Sequence, residues 1–147
     1  MSDPFQDVDS AGIEFAETTA KTMEIRQSEP VMEKIVKDYL DELEFTNRKL
    51  TIEIGCGPGA ISRRVSNYAS GSKVIGFDPA KNYIDIARNH SEHRPNLSFE
   101  VSDGRGIPLD DGTVDNVIMH TVLSHVIDPS HLIREAYRLL EKGGKLV

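Results

Sequence analysis

The 147-residue chain has one cysteine, no tryptophan and no apolar run approaching the length of a membrane span. Each absence removes a class of protein. A single thiol, Cys56, cannot close an internal disulfide or build a zinc cluster on several thiolates, and it is compatible with a reducing compartment. Positive charge is also scarce: 17 Lys and Arg stand against 24 Asp and Glu, giving a formal charge of −7. Nucleic-acid binding needs a clustered basic face, and the basic residues here are scattered, so nucleic acid is not expected as a main partner. The opening MSDPFQDVDSAG is acidic, with no basic segment followed by an apolar one. The expectation is a cytoplasmic protein with no membrane partner. What remains, 38% hydrophobic and 28% charged residues, is ordinary for one soluble globular domain.

The patterning changes once along the chain. Residues 12–27 are rich in helix formers, and Pro30 suits the first turn of a second helix whose apolar positions are read as Val31, Ile35, Tyr39 and Leu43. From about residue 47, short apolar runs alternate with helical patterns: LTIEI (50–54), AISRRVSNYA (60–69), KVIGF (73–77), AKNYIDIARNH (80–90), LSFEV (97–101) and VDNVIMH (114–120). Alternating strand and helix predicts an α/β fold, a mostly parallel sheet covered on both faces. Ser130 to Glu141 is expected to be a helix stopped by Gly143-Gly144, with KLV opening another strand. Residues 1–46 are thus read as an N-terminal helical cap and residues 47–147 as the core.

TIEIGCGPGA (51–60) carries the first chemical signal. Its glycines at 55, 57 and 59 follow a strand and precede a helix, where open α/β sheets bind ligands. Glycine permits positive φ and lets a ligand lie against main-chain N–H groups, although a glycine-rich turn can also serve only to make a tight corner. The second strand ends in Asp78, 19 residues beyond Gly59 (78 − 59), where its oxygens can accept from both ribose hydroxyls. Asp78-Pro79 can equally be a helix cap with Pro at the first position. The third strand ends in Asp103, which can accept from an exocyclic amine such as adenine N6.

Together these residues resemble the class I S-adenosylmethionine-dependent methyltransferases, especially the small-molecule branch related to ubiquinone biosynthesis. Glu53-x-Gly55-x-Gly57-x-Gly59 is similar to the family's first motif; Asp78 matches its ribose acid and Asp103 its adenine-side acid, with Gly104 and Arg105 forming the edge beside the ring. IPLDDGTVDNVIMHTVLSHV and RLLEKGGKLV match the approaches to the fourth and fifth strands. The resemblance implies a Rossmann-like fold, S-adenosylmethionine as cofactor and a small-molecule methyl acceptor. It implies cofactor contacts from Glu53, Gly55, Cys56, Gly57, Gly59, Asp78, Pro79, Asp103, Gly104 and His120, the last through main chain near the methionine amino group. It also implies that the N-terminal helices fold over the cofactor, with Phe5, Phe15, Met23 and Arg26 available to line an acceptor pocket.

GCGPGA also satisfies G-x-G-x-x-A, so an NAD-binding domain is the rival reading, opposed by the acid Glu53 beneath the loop and by Asp103. A binding module without turnover is the other alternative. If the acceptor loses a proton, His120 and His125 are the general-base candidates, against the plainer reading of both as structural histidines. Cys56 sits inside the loop, where small size suffices. His90 and His93 lack a third ligand in sequence, so no metal site is expected. The family fold continues past a fifth strand, whereas this sequence stops at KLV. The expectation is therefore a core incomplete at its C-terminal end, with the edge of the fourth strand open unless a further segment or oligomer partner covers it.

Overall fold

The computed structural model describes residues 3–45 and 49–147, so the boundary expected at residues 46 and 47 lies outside the described residues. A 3-10 turn at Pro4–Gln6 leads into α1 (Val8–Ala11), α2 (Ile13–Ser28) and α3 (Pro30–Asp41). There follow β1 (Leu50–Ile54), α4 (Ala60–Tyr68), β2 (Lys73–Asp78), α5 (Lys81–Asn89), β3 (Leu97–Val101), β4 (Val114–Ile118), α6 (Pro129–Leu139) and β5 (Leu140–Leu146).

The strands form one parallel sheet in the order β3-β2-β1-β4-β5. The order reverses between β1 and β4, the switch point at which such sheets leave a crevice at their carboxyl ends. Alternate β1 residues serve opposite faces. Ile52 and Ile54 pack with Leu132, Ala136 and Leu139 of α6. Thr51 and Glu53 are also buried, and Glu53 meets Ser62 of α4. On this second face Val36 and Leu40 of α3 join Ile61 and Val65 of α4 over Val74 and Ile118.

Four details differ from the sequence pattern. α2 matches the helix expected over residues 12–27, and α1 is an additional short helix ahead of it, separated by Gly12 at φ +89°. The buried stripe of α3 is Val36 and Leu40, continued by Leu43 beyond its end, while Val31 and Ile35 are 73% and 48% exposed; a strict repeat of four drifts around a helix of 3.6 residues per turn. The strand at 114 stops at Ile118, leaving Met119 and His120 in the following loop.

The fourth difference is at the C-terminal end. α6 ends at Leu139, so Gly143-Gly144 lies inside β5, where the register against β4 shifts between Val114 and Asn116. A Cβ on Gly144 would meet the Asp115 carbonyl oxygen at 2.9 Å, so this glycine permits close strand approach rather than stopping a helix. Because β5 pairs along β4, the edge of the fourth strand is covered. The outer strands are β3 and β5.

Candidate functional site

The loop from β1 to α4, the tips of β2, β3 and β4, and the N-terminal helices enclose a cavity of about 690 Å³. Its three loop glycines have different roles. All have positive φ, at +76° for Gly55, +52° for Gly57 and +82° for Gly59. A Cβ on Gly55 would strike Val122 at 2.2 Å, and one on Gly59 would strike Phe99 at 2.7 Å. Gly57 alone of the three is free of a clash, an added Cβ meeting only the flexible Met23 side chain, whose sulfur would lie at the ordinary contact distance of 3.6 Å. With Gly55, Cys56 and Pro58 it lines the cavity, and it is the glycine of the three with room beside its Cα.

Asp78 fixes that glycine. Its Oδ2 accepts the Gly57 amide at 2.8 Å and its Oδ1 the Ala80 amide at 2.9 Å, so one carboxylate ties the loop to the turn after β2; it is not the helix cap that Asp78-Pro79 could have formed, because α5 starts at Lys81 and its first amides donate to Asp9. Burial pushes its pKa up to about 6, against the pull of these two N–H groups. Pro79 lines the cavity beside it. Glu53 is fully buried beneath the loop and accepts from the Ser62 hydroxyl at 2.5 Å. Burial raises it to about 8, so near pH 7 it is largely uncharged and does not repel an anion as a carboxylate would.

Cys56 is among the lining residues. Its sulfur lies among Ile84, Ala87 and Phe99, and burial pushes the thiol far up. That sulfur is packing, not a nucleophile. Asp103 lines the rim, where Arg105 binds it through the backbone amide at 3.0 Å and the side chain at 2.9 and 2.6 Å. Gly104 and Gly59 are not among the lining residues; a Cβ on Gly104 would meet Ile54 and Leu132 at 2.7 Å, so this position serves the core.

The two histidines after β4 are held differently. His120 uses both ring nitrogens, Nδ1 with Tyr39 Oη at 3.3 Å and Nε2 with Gln27 Nε2 at 3.1 Å. Burial, then the nearby Arg26 and Arg64, lower its pKa and so favour the neutral ring. His125 meets Asp3 Oδ2 through Nδ1 at 2.8 Å. Of the N-terminal residues proposed from sequence, Phe5, Met23 and Arg26 line the cavity, whereas Phe15 packs with Val8, Ala16 and Tyr83.

Several lining residues carried no sequence signal: Thr19, bonded to the Tyr83 hydroxyl at 2.7 Å; Gln27; and Thr121, a non-glycine at φ +57°. A strained backbone at a cavity rim is visible only once the chain is folded.

A protein-family model described as "Methyltransferase domain" matches residues 52–147. The chain belongs to this family. Its members here are class I S-adenosylmethionine-dependent methyltransferases, and S-adenosylmethionine is the family's cofactor. Among curated relatives, an uncharacterized 37.1 kDa protein in transposon TN4556 of Streptomyces fradiae is 34% identical over 93% of this chain and 46% of its own length. A ubiquinone biosynthesis O-methyltransferase of Coxiella burnetii is 29% identical over 74% of this chain and 46% of its own. A solved chain from the complex of the Haloferax volcanii Trm112 methyltransferase activator superposes with a TM-score of 0.77 at 26% identity, over 91% of this chain and 57% of that one. The chain spans about half the length of the curated relatives it matches.

Proposed function

We propose that this chain holds S-adenosylmethionine in the cleft and that the protein transfers its methyl group to a small-molecule acceptor. The observation that carries the reading is Gly57, a positive-φ residue lining the cavity with room beside its Cα while its amide is held by Asp78 at the tip of β2. A ligand takes the space that a side chain would fill, and each Asp78 oxygen, already accepting one amide, keeps a second lone pair for a ribose hydroxyl. Asp103, with Gly104 behind it, takes the adenine side; the His120 main chain and Arg26 take the methionine end. Glu53 supports the loop from beneath, while Gly55, Cys56, Gly59 and Pro79 shape it.

The bound cofactor supplies a sulfonium methyl, and in-line displacement needs alignment and exclusion of water more than an elaborate catalytic group. α2 contributes Met23, Arg26 and Gln27 to the lining, which supports reading residues 1–46 as a cap on the core. No helix among the described residues is long and apolar enough to cross a membrane, and a cytoplasmic location is part of this reading. So is cover for the outer edge of β5, by further chain or an oligomer partner.

Calorimetric titration with S-adenosylhomocysteine, with NADH as the control, tests the assignment. Saturable binding of the first alone is expected. Binding of NADH instead would return the loop to the dinucleotide reading, and S-adenosylhomocysteine binding without turnover by the whole protein would leave a binding module.

A further inference from the structure

We propose that His125 is the general base of the transfer, positioned by Asp3, and that the acceptor is a phenol; the inference rests on the cofactor reading above. Asp3 Oδ2 lies 2.8 Å from His125 Nδ1 across 122 residues of sequence. The carboxylate is itself fixed, since its Oδ1 accepts the Phe5 amide at 2.9 Å. A carboxylate only accepts, so the proton of the neutral ring is assigned to Nδ1 and the lone pair to Nε2. Among the described residues Nε2 has no hydrogen-bond partner, and His125 lines the cavity into which Gly57 opens. The Phe5 ring stands 5.0 Å from the imidazole, a second restraint from the same N-terminal segment. His120 offers the contrast: both of its nitrogens are engaged, so it braces α2 and α3 and has no free lone pair.

A base is useful only to an acceptor that must lose a proton. A phenol, with a pKa of about 10, is within reach of an imidazole, whereas a tertiary amine has no proton to give. Phe5 and Val126 contribute apolar surface to the lining, which suits an aromatic ring. In the step, the phenol oxygen bonds the methyl carbon as the carbon–sulfur bond breaks. The bond pair passes to sulfur, leaving a neutral thioether, and the phenol proton passes to Nε2. The product leaves as a methyl ether and the imidazolium returns its proton to water. Other ionisable groups of the wall are accounted for. Asp103 pairs with Arg105 and Asp128 with Arg134; Glu53, Cys56 and Asp78 are buried, the Tyr83 hydroxyl meets Thr19, His120 is held by Tyr39 and Gln27, and Arg26 is a further lining cation.

The test reads proton transfer without turnover. The chain saturated with S-adenosylhomocysteine is titrated with 4-nitrophenol, whose phenolate absorbs in the visible, at a pH where the free probe is mostly protonated. A severalfold rise in phenolate fraction on binding is expected. His125→Gln should return it to the free level with S-adenosylhomocysteine affinity within twofold. Asp3→Asn should give an intermediate rise, and Asp3→Glu should recover most of it. An imidazole 15N spectrum should show the neutral ring protonated at Nδ1 in the unmodified chain, with that tautomer preference reduced in Asp3→Asn in step with the phenolate signal. A phenolate signal that survives His125→Gln, or no rise at all with S-adenosylhomocysteine bound, overturns the base. If S-adenosylhomocysteine itself fails to bind the unmodified chain, the cofactor reading fails and takes this proposal with it.

Discussion

The Gly57 amide donates to Asp78 at 2.8 Å, so the residue that opens the loop to the cleft is tied to the tip of the neighbouring strand. A single acid thereby shapes the loop and lines the cavity, and in the proposed function it takes the ribose. Asp78→Ala removes both roles. Charge-assisted hydrogen bonds contribute roughly 1.5–3 kcal/mol each, so S-adenosylhomocysteine binding should weaken at least about tenfold by calorimetry, with the far-ultraviolet circular dichroism unchanged. An unaltered dissociation constant would reduce Asp78 to a tie between the loop and the turn before α5.

Two glycines separate binding from packing. Gly57→Val places a side chain in the room beside its Cα and forces a β-branched residue to φ +52°, so it should abolish S-adenosylhomocysteine binding. Gly104→Ala pushes a methyl against Ile54 and Leu132, an overpacking worth roughly 1–3 kcal/mol, so it should lower the melting temperature and leave affinity nearly unchanged. The reverse pattern would exchange the two assignments.

Cys56 should behave as a core residue. Its thiol is buried, donates weakly to the Gly57 carbonyl, and is held protonated by burial. Native protein should therefore react with an aromatic disulfide reagent only at the rate of opening, and Cys56→Ala should retain S-adenosylhomocysteine binding. Rapid labelling of the folded chain would contradict this placement.

The sheet and loop were legible because their signals are local. β1, β2 and β3 are short apolar runs, and a glycine triplet after a strand has few other uses, so their position followed from order along the chain. The differing roles of those glycines were not legible, since Val122 and Phe99, which decide them, are distant in sequence. Gly143-Gly144 shows the same limit: the pair reads as a helix stop until Asp115 is brought against it. The Asp3–His125 pair was hidden for the same reason. Asp3 lies in an acidic N-terminal stretch whose composition says only that it is solvated, and folding alone selects one of its acids to meet a histidine.

Glu53 makes stability depend on pH in a window of its own. Its folded pKa, raised by burial to about 8, lies above its ordinary 4.5, so its contribution is complete below about 4.5 and is lost as pH rises to about 8. Asp78, raised to about 6, adds to the lower part of the same window. The lowered carboxylates act elsewhere: Asp103, Asp115 and Glu135 stabilise above their ordinary range and lose that contribution only as pH falls through their folded values, below about 4. Between pH 6 and 8, Glu53 should therefore govern the slope among the buried carboxyls, at up to about 1.4 kcal/mol per pH unit. Glu53→Gln keeps an oxygen for the Ser62 hydroxyl and removes the ionisation. Melting temperatures at pH 6, 7 and 8 should fall for the unmodified chain by roughly 2–4 °C per kcal/mol lost, and fall less for Glu53→Gln. Parallel slopes for the two proteins would mean that Glu53 keeps the same protonation state across that range, and that its burial is offset by something other than a proton.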